Sequence, residues 1–401
     1  MSGLDAVLLA GWPGTLSSLW QQAGRAGRTG SRSLAVLVAG DDPLDTYLVH
    51  HPEALFDRPV EAAVLDPQNP YILGPHLAAA AAELPLTAED AKVFGPTMMG
   101  LLEDLVARRM LRQRPGGWFW TRPERATEHV SLRGTGETVR IVEWSTGRVL
   151  GTVDGPAAHT SVHTGAVYVH QGQTYVVAHF DVAGSHAIVM AGDPGWSTQA
   201  RSVSAFDIGR VEQSQSWGLV DMCFGSVDVR SQVTSFLRRR PGGEILGEHP
   251  LDLPERTLHT QAVWWTMPEE MLDAAGVCLS EIPGAAHAAE HAAIAMLPLV
   301  ATSDRWDIGG VSTALHPDTD RPTILVYDGH PGGAGFAERG FDAATIWLTA
   351  TRDAILACEC ADGCPSCVQS PKCGNGNEPL DKAGAVALLT AVLAGSPRVG
   401  S

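Results

Sequence analysis

Five of the chain's seven cysteines fall in one run, Cys358-Glu-Cys360-Ala-Asp-Gly-Cys364-Pro-Ser-Cys367-Val-Gln-Ser-Pro-Lys-Cys373-Gly-Asn. Thiolates at such short spacings converge readily on a tetrahedral zinc ion, which takes four of them. Gly363, Pro365, Pro371 and Gly374 exclude a helix or a central strand and predict a set of tight turns. Cys364 and Cys367 form a C-x-x-C knuckle, Cys358 and Cys360 a C-x-C pair, and Cys373 arrives on its own Pro-Lys-Cys-Gly turn. Five thiols compete for four places. Cys364, Cys367 and Cys373 are expected as ligands of a structural zinc, with Cys358, Cys360 or both completing the shell. The competing reading, disulfides, needs an oxidising compartment, and the first residues show no secretory signal.

Two further constellations carry residue types suited to chemistry. In Gln21-Gln22-Ala23-Gly24-Arg25-Ala26-Gly27-Arg28 two arginines lie three apart at an expected helix end, each beside a glycine. That spacing suits a γ-phosphate, where guanidinium groups neutralise the charge that develops in phosphoryl transfer. The plain alternative is a solvated helix end. His287-Ala-Ala-Glu290-His291 reads formally as H-x-x-E-H, two histidines on one helical face with a glutamate able to act as base to a bound zinc. No distal glutamate ligand accompanies it and the helix is nearly all alanine. Polar packing is therefore the expected role, with a zinc hydrolase as the alternative function and a purely structural docking module as another.

The elements that must position these residues belong to an ordinary globular chain. Its 401 residues predict two to four domains, and 44% hydrophobic with 18% charged residues is not the composition of a disordered protein. A net charge of -17 makes any nucleic-acid contact a matter of a local basic patch. No apolar stretch is long enough to span a membrane, so a cytoplasmic monomer is expected.

Apolar strands at 4–10 and 33–39, flanking a helix from near Leu16, predict a parallel α/β unit. Residues 41–85 read as a Pro-rich connector with short helices, 77–84 among them, and Thr87-Ala-Glu-Asp90 as a capping box. An amphipathic helix over 96–112, then a Gly-turned aromatic hairpin through Trp118 and Trp120, makes a winged helix. Arg108, Arg109, Arg112, Arg114 and Arg122 beside those tryptophans offer charge and stacking surface to single-stranded DNA; the alternative is a tryptophan core with a solvated rim.

From 129 to about 236, short strands between Gly, Asp and Ser turns predict an antiparallel, barrel-like domain. Its histidines show no ligand spacing. Arg238-Arg-Arg240 is a basic turn that could meet a phosphate backbone. The strand 323–327 feeds the Gly-rich turn of 327–336, which could cradle a phosphate at a helix N-terminus. Helices over 342–357 and 381–393 flank the cysteines.

The segment from Gln21 to Arg28 matches every fixed position of helicase motif VI, Q-x-x-G-R-x-G-R, of superfamily-two helicases. That resemblance implies that Arg25 and Arg28 reach ATP and that Gln21 is the motif's leading polar residue. No G-x-x-x-x-G-K-[ST] loop and no D-E-x-H box occur in the sequence. The chain thus reads as the C-terminal part of a larger enzyme, cut just upstream of Leu4, that should not hydrolyse ATP alone. Together with Gly165-Ala-Val-Tyr-Val-His-Gln-Gly172, His287–His291, Asp307-Ile-Gly-Gly310, Tyr327–Phe336 and Gly363–Asn375, it resembles the C-terminal half of the MrfA/SftH-type DNA helicases of bacteria, relatives of RecQ-like helicases of fungi.

The resemblance implies an ATP- and magnesium-dependent 3′–5′ helicase of DNA repair, acting on single-stranded or tailed DNA, with a nuclease or repair protein as a partner. The implied fold is α/β and α+β multidomain. The end of a second RecA-like lobe occupies 1–45, a connector 46–85 and a winged helix 86–128. A β-barrel-like and helical zinc-binding domain occupies 129–401.

Overall fold

The computed structural model describes residues 4–27, 32–61, 64–130 and 138–397. Strands β1 (Ala6–Ala10) and β2 (Leu34–Val38) pair in parallel, with Ala6 opposite Leu34. Helix α1 (Leu16–Ala23) crosses between them, capped by the Thr15 hydroxyl, which accepts from the Ser18 amide at 2.9 Å. Helices α2 (Pro43–His50) and α3 (Glu53–Phe56) follow. Leu9, Leu16, Leu19, Leu44 and Leu48 bury themselves in the same core as the C-terminal helices, and Asp42 pairs with Arg305. This unit is therefore docked on the large module.

The second unit comprises α4 (Pro70–Glu83), α5 (Ala91–Phe94), α6 (Met98–Ala107) and the antiparallel hairpin β3 (Leu111–Arg114) with β4 (Gly117–Trp120). Leu73, Leu77, Met98, Leu102 and Trp118 form its core. Residues 70–83, read from sequence as part of a connector, are one helix of this core. Pro70 sits at the helix start behind an Asn69 cap, where a missing N–H costs nothing, so the proline-rich text misleads. The expected helix over 96–112 stops at Ala107, and β3 begins at Leu111. The capping box at Thr87 and Asp90 is present. Gly117 has φ +124°, and a Cβ there would lie 2.2 Å from the Leu86 carbonyl, so the hairpin admits no side chain at this position.

The third unit is a five-stranded sheet in the order β6-β5-β9-β8-β7. Its strands are β5 (Thr138–Glu143), β6 (Val149–Asp154), β7 (Val167–His170), β8 (Gln173–Asp181) and β9 (His186–Ala191), with α7 (Gly155–Ser161) after β6. Two features correct the antiparallel, barrel-like expectation. The β5/β9 pair is parallel, and among the described residues the edge strands β6 and β7 do not pair with each other, so the sheet is open. Short alternating strands show which residues turn inward but not how a sheet closes.

The fourth unit is organised on an antiparallel sheet. The long hairpin of β10 (Ser197–Trp217) and β11 (Val220–Arg239) carries β12 (Ile245–Pro250) and β13 (Arg256–Thr266) against β11. After α8 (Glu269–Ala274) and α9 (Ile282–Met296), β14 (Ile308–His316) and β15 (Arg321–Asp328) complete the order β10-β11-β13-β15-β14. Helices α10 (Phe336–Asp342), α11 (Ala344–Ala357) and α12 (Lys382–Ala394) pack with α9 on this sheet. The alanines of α9 let its neighbours approach closely: six of them, from Ala285 to Ala293, are fully buried, and the Trp347 indole donates to the Ala293 carbonyl at 2.8 Å.

The Asp307–His330 pair ties the start of β14 to the turn after β15 at 3.2 Å. The shared hydrogen bond lowers the Asp307 pKa and raises that of His330. The aspartate's share of stability is present above pH 3.8 and lost as pH falls through its lowered pKa. The histidine's share is complete below pH 6.5 and fades as pH rises through its raised pKa. Both side chains are more than a third exposed, so the sum is under about 1 kcal/mol. In pH-dependent thermal melts, His330→Gln is expected to flatten the curve on its alkaline shoulder; an unchanged shoulder would count against the pair.

Candidate metal centre

The loop between α11 and α12 brings Cys358, Cys360, Cys364 and Cys367 together. Cys358 ends α11, placing the first thiol at a rigid helix terminus. Gly363 turns with φ +107°, in a space where a Cβ would meet Val368 at 2.5 Å. The amides of Cys367, Val368 and Gln369 then fold back onto the Cys364 carbonyl at 3.0–3.1 Å, and the Cys364 amide donates to the Cys367 Sγ at 3.2 Å. This is a knuckle built from turn residues rather than from a helix or sheet.

The sulfur separations test whether the site suits zinc. Cys358–Cys360, Cys358–Cys364 and Cys360–Cys367 lie 3.5 Å apart and Cys364–Cys367 3.8 Å. Zn–S bonds of about 2.3 Å in a tetrahedron require sulfur edges of about 3.8 Å, whereas a disulfide requires about 2.05 Å. The donor set fits a closed, structural zinc site. Its electrostatics agree: the Lys382 ammonium lies 3.4 Å from the Cys360 Sγ and donates to the Cys358 and Cys360 carbonyls at 2.6 Å. A cation so placed partly offsets four thiolates.

Cys373, expected among the zinc thiols, is a correction. It falls outside the four-sulfur cluster: its Sγ lies 3.4 Å from the His287 Nε2 and within the same small cluster as His291. Lys372 directs the turn at Pro371 by donating to the Arg305 and Ile308 carbonyls at 2.9 and 2.7 Å, and burial pushes its pKa down to about 8. Sequence reasoning missed Lys372 and Lys382, because a lysine next to a motif carries no signal of where its ammonium goes. Glu290 does not join His287 and His291. It turns to β14, lies against Gly310 and takes hydrogen bonds from Ser312, and burial pushes its pKa up to about 7. The H-x-x-E-H geometry needs that carboxylate at the metal, so the hydrolase alternative loses its base.

The other candidate residues are spread along the chain. Gln21 and Arg25 are exposed near the end of α1; Arg28 lies outside the described residues. Arg108, Arg109, Arg112 and Arg114 are exposed at the end of α6 and on β3. Trp118, read as a stacking surface, is 7% exposed and belongs to the core, because β4 turns it towards α4 and α6. Trp120 is half-buried, with its indole donating to the Glu124 carbonyl at 3.0 Å. The Gly-rich turn 329–335 offers no phosphate cradle, since the Asp328 carboxylate already takes the amides of Ala334, Gly335 and Ala337 at 2.6–2.9 Å.

Comparison with known proteins agrees with this arrangement. Residues 289–368 match the MrfA Zn-binding domain, and residues 65–135 match the winged helix domain of the ATP-dependent helicase HRQ1. The uncharacterized ATP-dependent helicase YprA of Bacillus subtilis (strain 168) is 33% identical over 372 residues, which are 91% of this chain and 49% of YprA. A crystal structure of the DUF1998 helicase MrfA superposes with a TM-score of 0.63 at 30% identity, covering 92% of this chain and 52% of that one. The crystal structure of MrfA bound to DNA superposes with a TM-score of 0.56 at 31% identity, covering 97% and 52%. The chain thus spans about half the length of these relatives. In its winged helix, its four-cysteine cluster and these matches, this chain is similar to the C-terminal region of the MrfA-type helicases.

Proposed function

We propose that this chain is the accessory region of an ATP-dependent 3′–5′ DNA helicase of superfamily two that acts in DNA repair, in the cytoplasm and as a monomer. Its winged helix guides single-stranded DNA past the motor, and its four-cysteine zinc stiffens the module on which the strand runs. ATP and magnesium are held by the motor lobes, to which Gln21, Arg25 and Arg28 contribute one edge. The observation that carries this reading is the likeness of 97% of the chain to an MrfA crystal structure bound to DNA. The exposed Arg108, Arg109, Arg112 and Arg114 supply the local positive patch that a chain of net charge -17 needs for such a contact.

Anisotropy of a labelled single strand tests it, on this chain and on a longer protein that includes it. Arg112→Glu with Arg114→Glu is expected to weaken binding about tenfold or more. Each lost phosphate contact should also flatten the dependence of log K on log salt by about 0.7, hence about 1.4 for the pair. Unchanged affinity and unchanged slope would sink the assignment of this face.

A further inference from the structure

We propose that His287, His291 and Cys373 hold a second zinc ion, separate from the four-cysteine site. The three ligand atoms lie within 4.8 Å of one another, and the Cys373 Sγ to His287 Nε2 separation is 3.4 Å. A tetrahedral zinc with bonds of about 2.0–2.1 Å to nitrogen and 2.3 Å to sulfur needs an N–S edge of about 3.6 Å. The measured N–S separation is close to that edge, and the three atoms are near enough to occupy three corners of one coordination sphere.

Proton accounting points the same way. The His287 Nδ1 lies 2.8 Å from the Pro379 carbonyl and the His291 Nδ1 lies 2.9 Å from the Val368 carbonyl. A carbonyl oxygen only accepts, so in each ring Nδ1 carries the proton. In the neutral rings both Nε2 lone pairs are then free and turned towards one sulfur. A single thiol proton satisfies only one of them, although Cys373 is in hydrogen-bonding reach of both rings. A cation satisfies both rings and the thiolate together. The Nδ1–H to carbonyl bonds are also the outer contacts that orient metal-bound histidines. Two imidazoles and a thiolate suit zinc better than a hard cation. With Glu290 turned to β14, the ion has no base beside it, and its role is to clasp α9 to the loop that follows the first site.

The proposal stands independently of any DNA role. Metal analysis of the purified chain is expected to give about two zinc ions, and about one in Cys373→Ser and in His287→Gln. Zinc X-ray absorption on the unaltered chain reads the same point without relying on a variant that folds. The second site adds a nitrogen/oxygen shell near 2.0–2.1 Å to the sulfur shell near 2.3 Å. One zinc with sulfur neighbours alone, or a second zinc that both variants retain, would overturn the proposal.

Discussion

Cys367→Ser is expected to strip the four-cysteine site of its zinc and to unfold the module between α11 and α12. Cys367 is fully buried, and together with Val368 it is part of the main core, against which Cys358, Cys360 and Cys364 also pack. Over Cys358–Asn377 the chain forms turns without regular helix or strand, so no ladder of backbone hydrogen bonds remains to hold it once the ion leaves. Structural zinc binding is worth about 10–16 kcal/mol in small peptides, and a whole domain is stable by about 5–15 kcal/mol. Even a third of the former is a large part of the latter. A fall in melting temperature of about 10 °C or more, with loss of one zinc equivalent, is the expected reading, and prolonged chelation should reproduce it. Cys278→Ser, at an exposed cysteine that belongs to neither metal-ligand cluster, should change neither quantity. A Cys367→Ser protein that kept its metal and its melting temperature would refute the zinc assignment.

The split of the cysteines shows where sequence reading reaches its limit. Cys358, Cys360, Cys364 and Cys367 are legible because their convergence is local: short spacings on turns leave the thiols few other directions. Cys373 is as close in sequence as Cys358 is to Cys364, yet its partners sit on α9, some eighty residues earlier, and no local pattern announces them. The strands divide in the same way. The strand at 323–327 is an apolar run and could be read, whereas β10 is exposed on both faces for most of its length and shows no alternation to read. Strand β13 carries the buried Trp264 and Trp265 in succession, covered on both faces, so it too lacks the period of two. Its pairing with β15 spans α8, α9 and β14, a non-local choice that only the finished core decides. Trp118 fails for a smaller reason. In a four-residue strand beside arginines, inward and outward differ by one step of register.

Asp328→Ala is expected to be the most destabilising single change outside the metal sites. Asp328 is fully buried at the end of β15; its Oδ2 accepts from the Ala334 and Gly335 amides at 2.6 and 2.9 Å, and its Oδ1 accepts from Ala337 at 2.8 Å. Burial raises its pKa while those amides pull the other way. An alanine there leaves three amides without partners, each costing about 1–3 kcal/mol, so that the total reaches about 3–9 kcal/mol and a fall of about 10 °C or more in melting temperature. The loss would not stay local. The same turn is gripped from the winged helix by Asn69, whose side-chain amide donates to the Pro331 and Gly333 carbonyls at 2.8 and 2.6 Å. Asp328→Ala should therefore speed hydrogen exchange both across 334–337 and in the first turn of α4, linking the core sheet to the unit proposed to meet DNA. Asp328→Asn keeps an accepting oxygen on one side and turns an N–H₂ towards donors on the other, so it should cost about half as much. If Asp328→Ala melted within 2 °C of the parent and left α4 protected, the turn would be held by its glycines alone, and the winged helix would be anchored elsewhere.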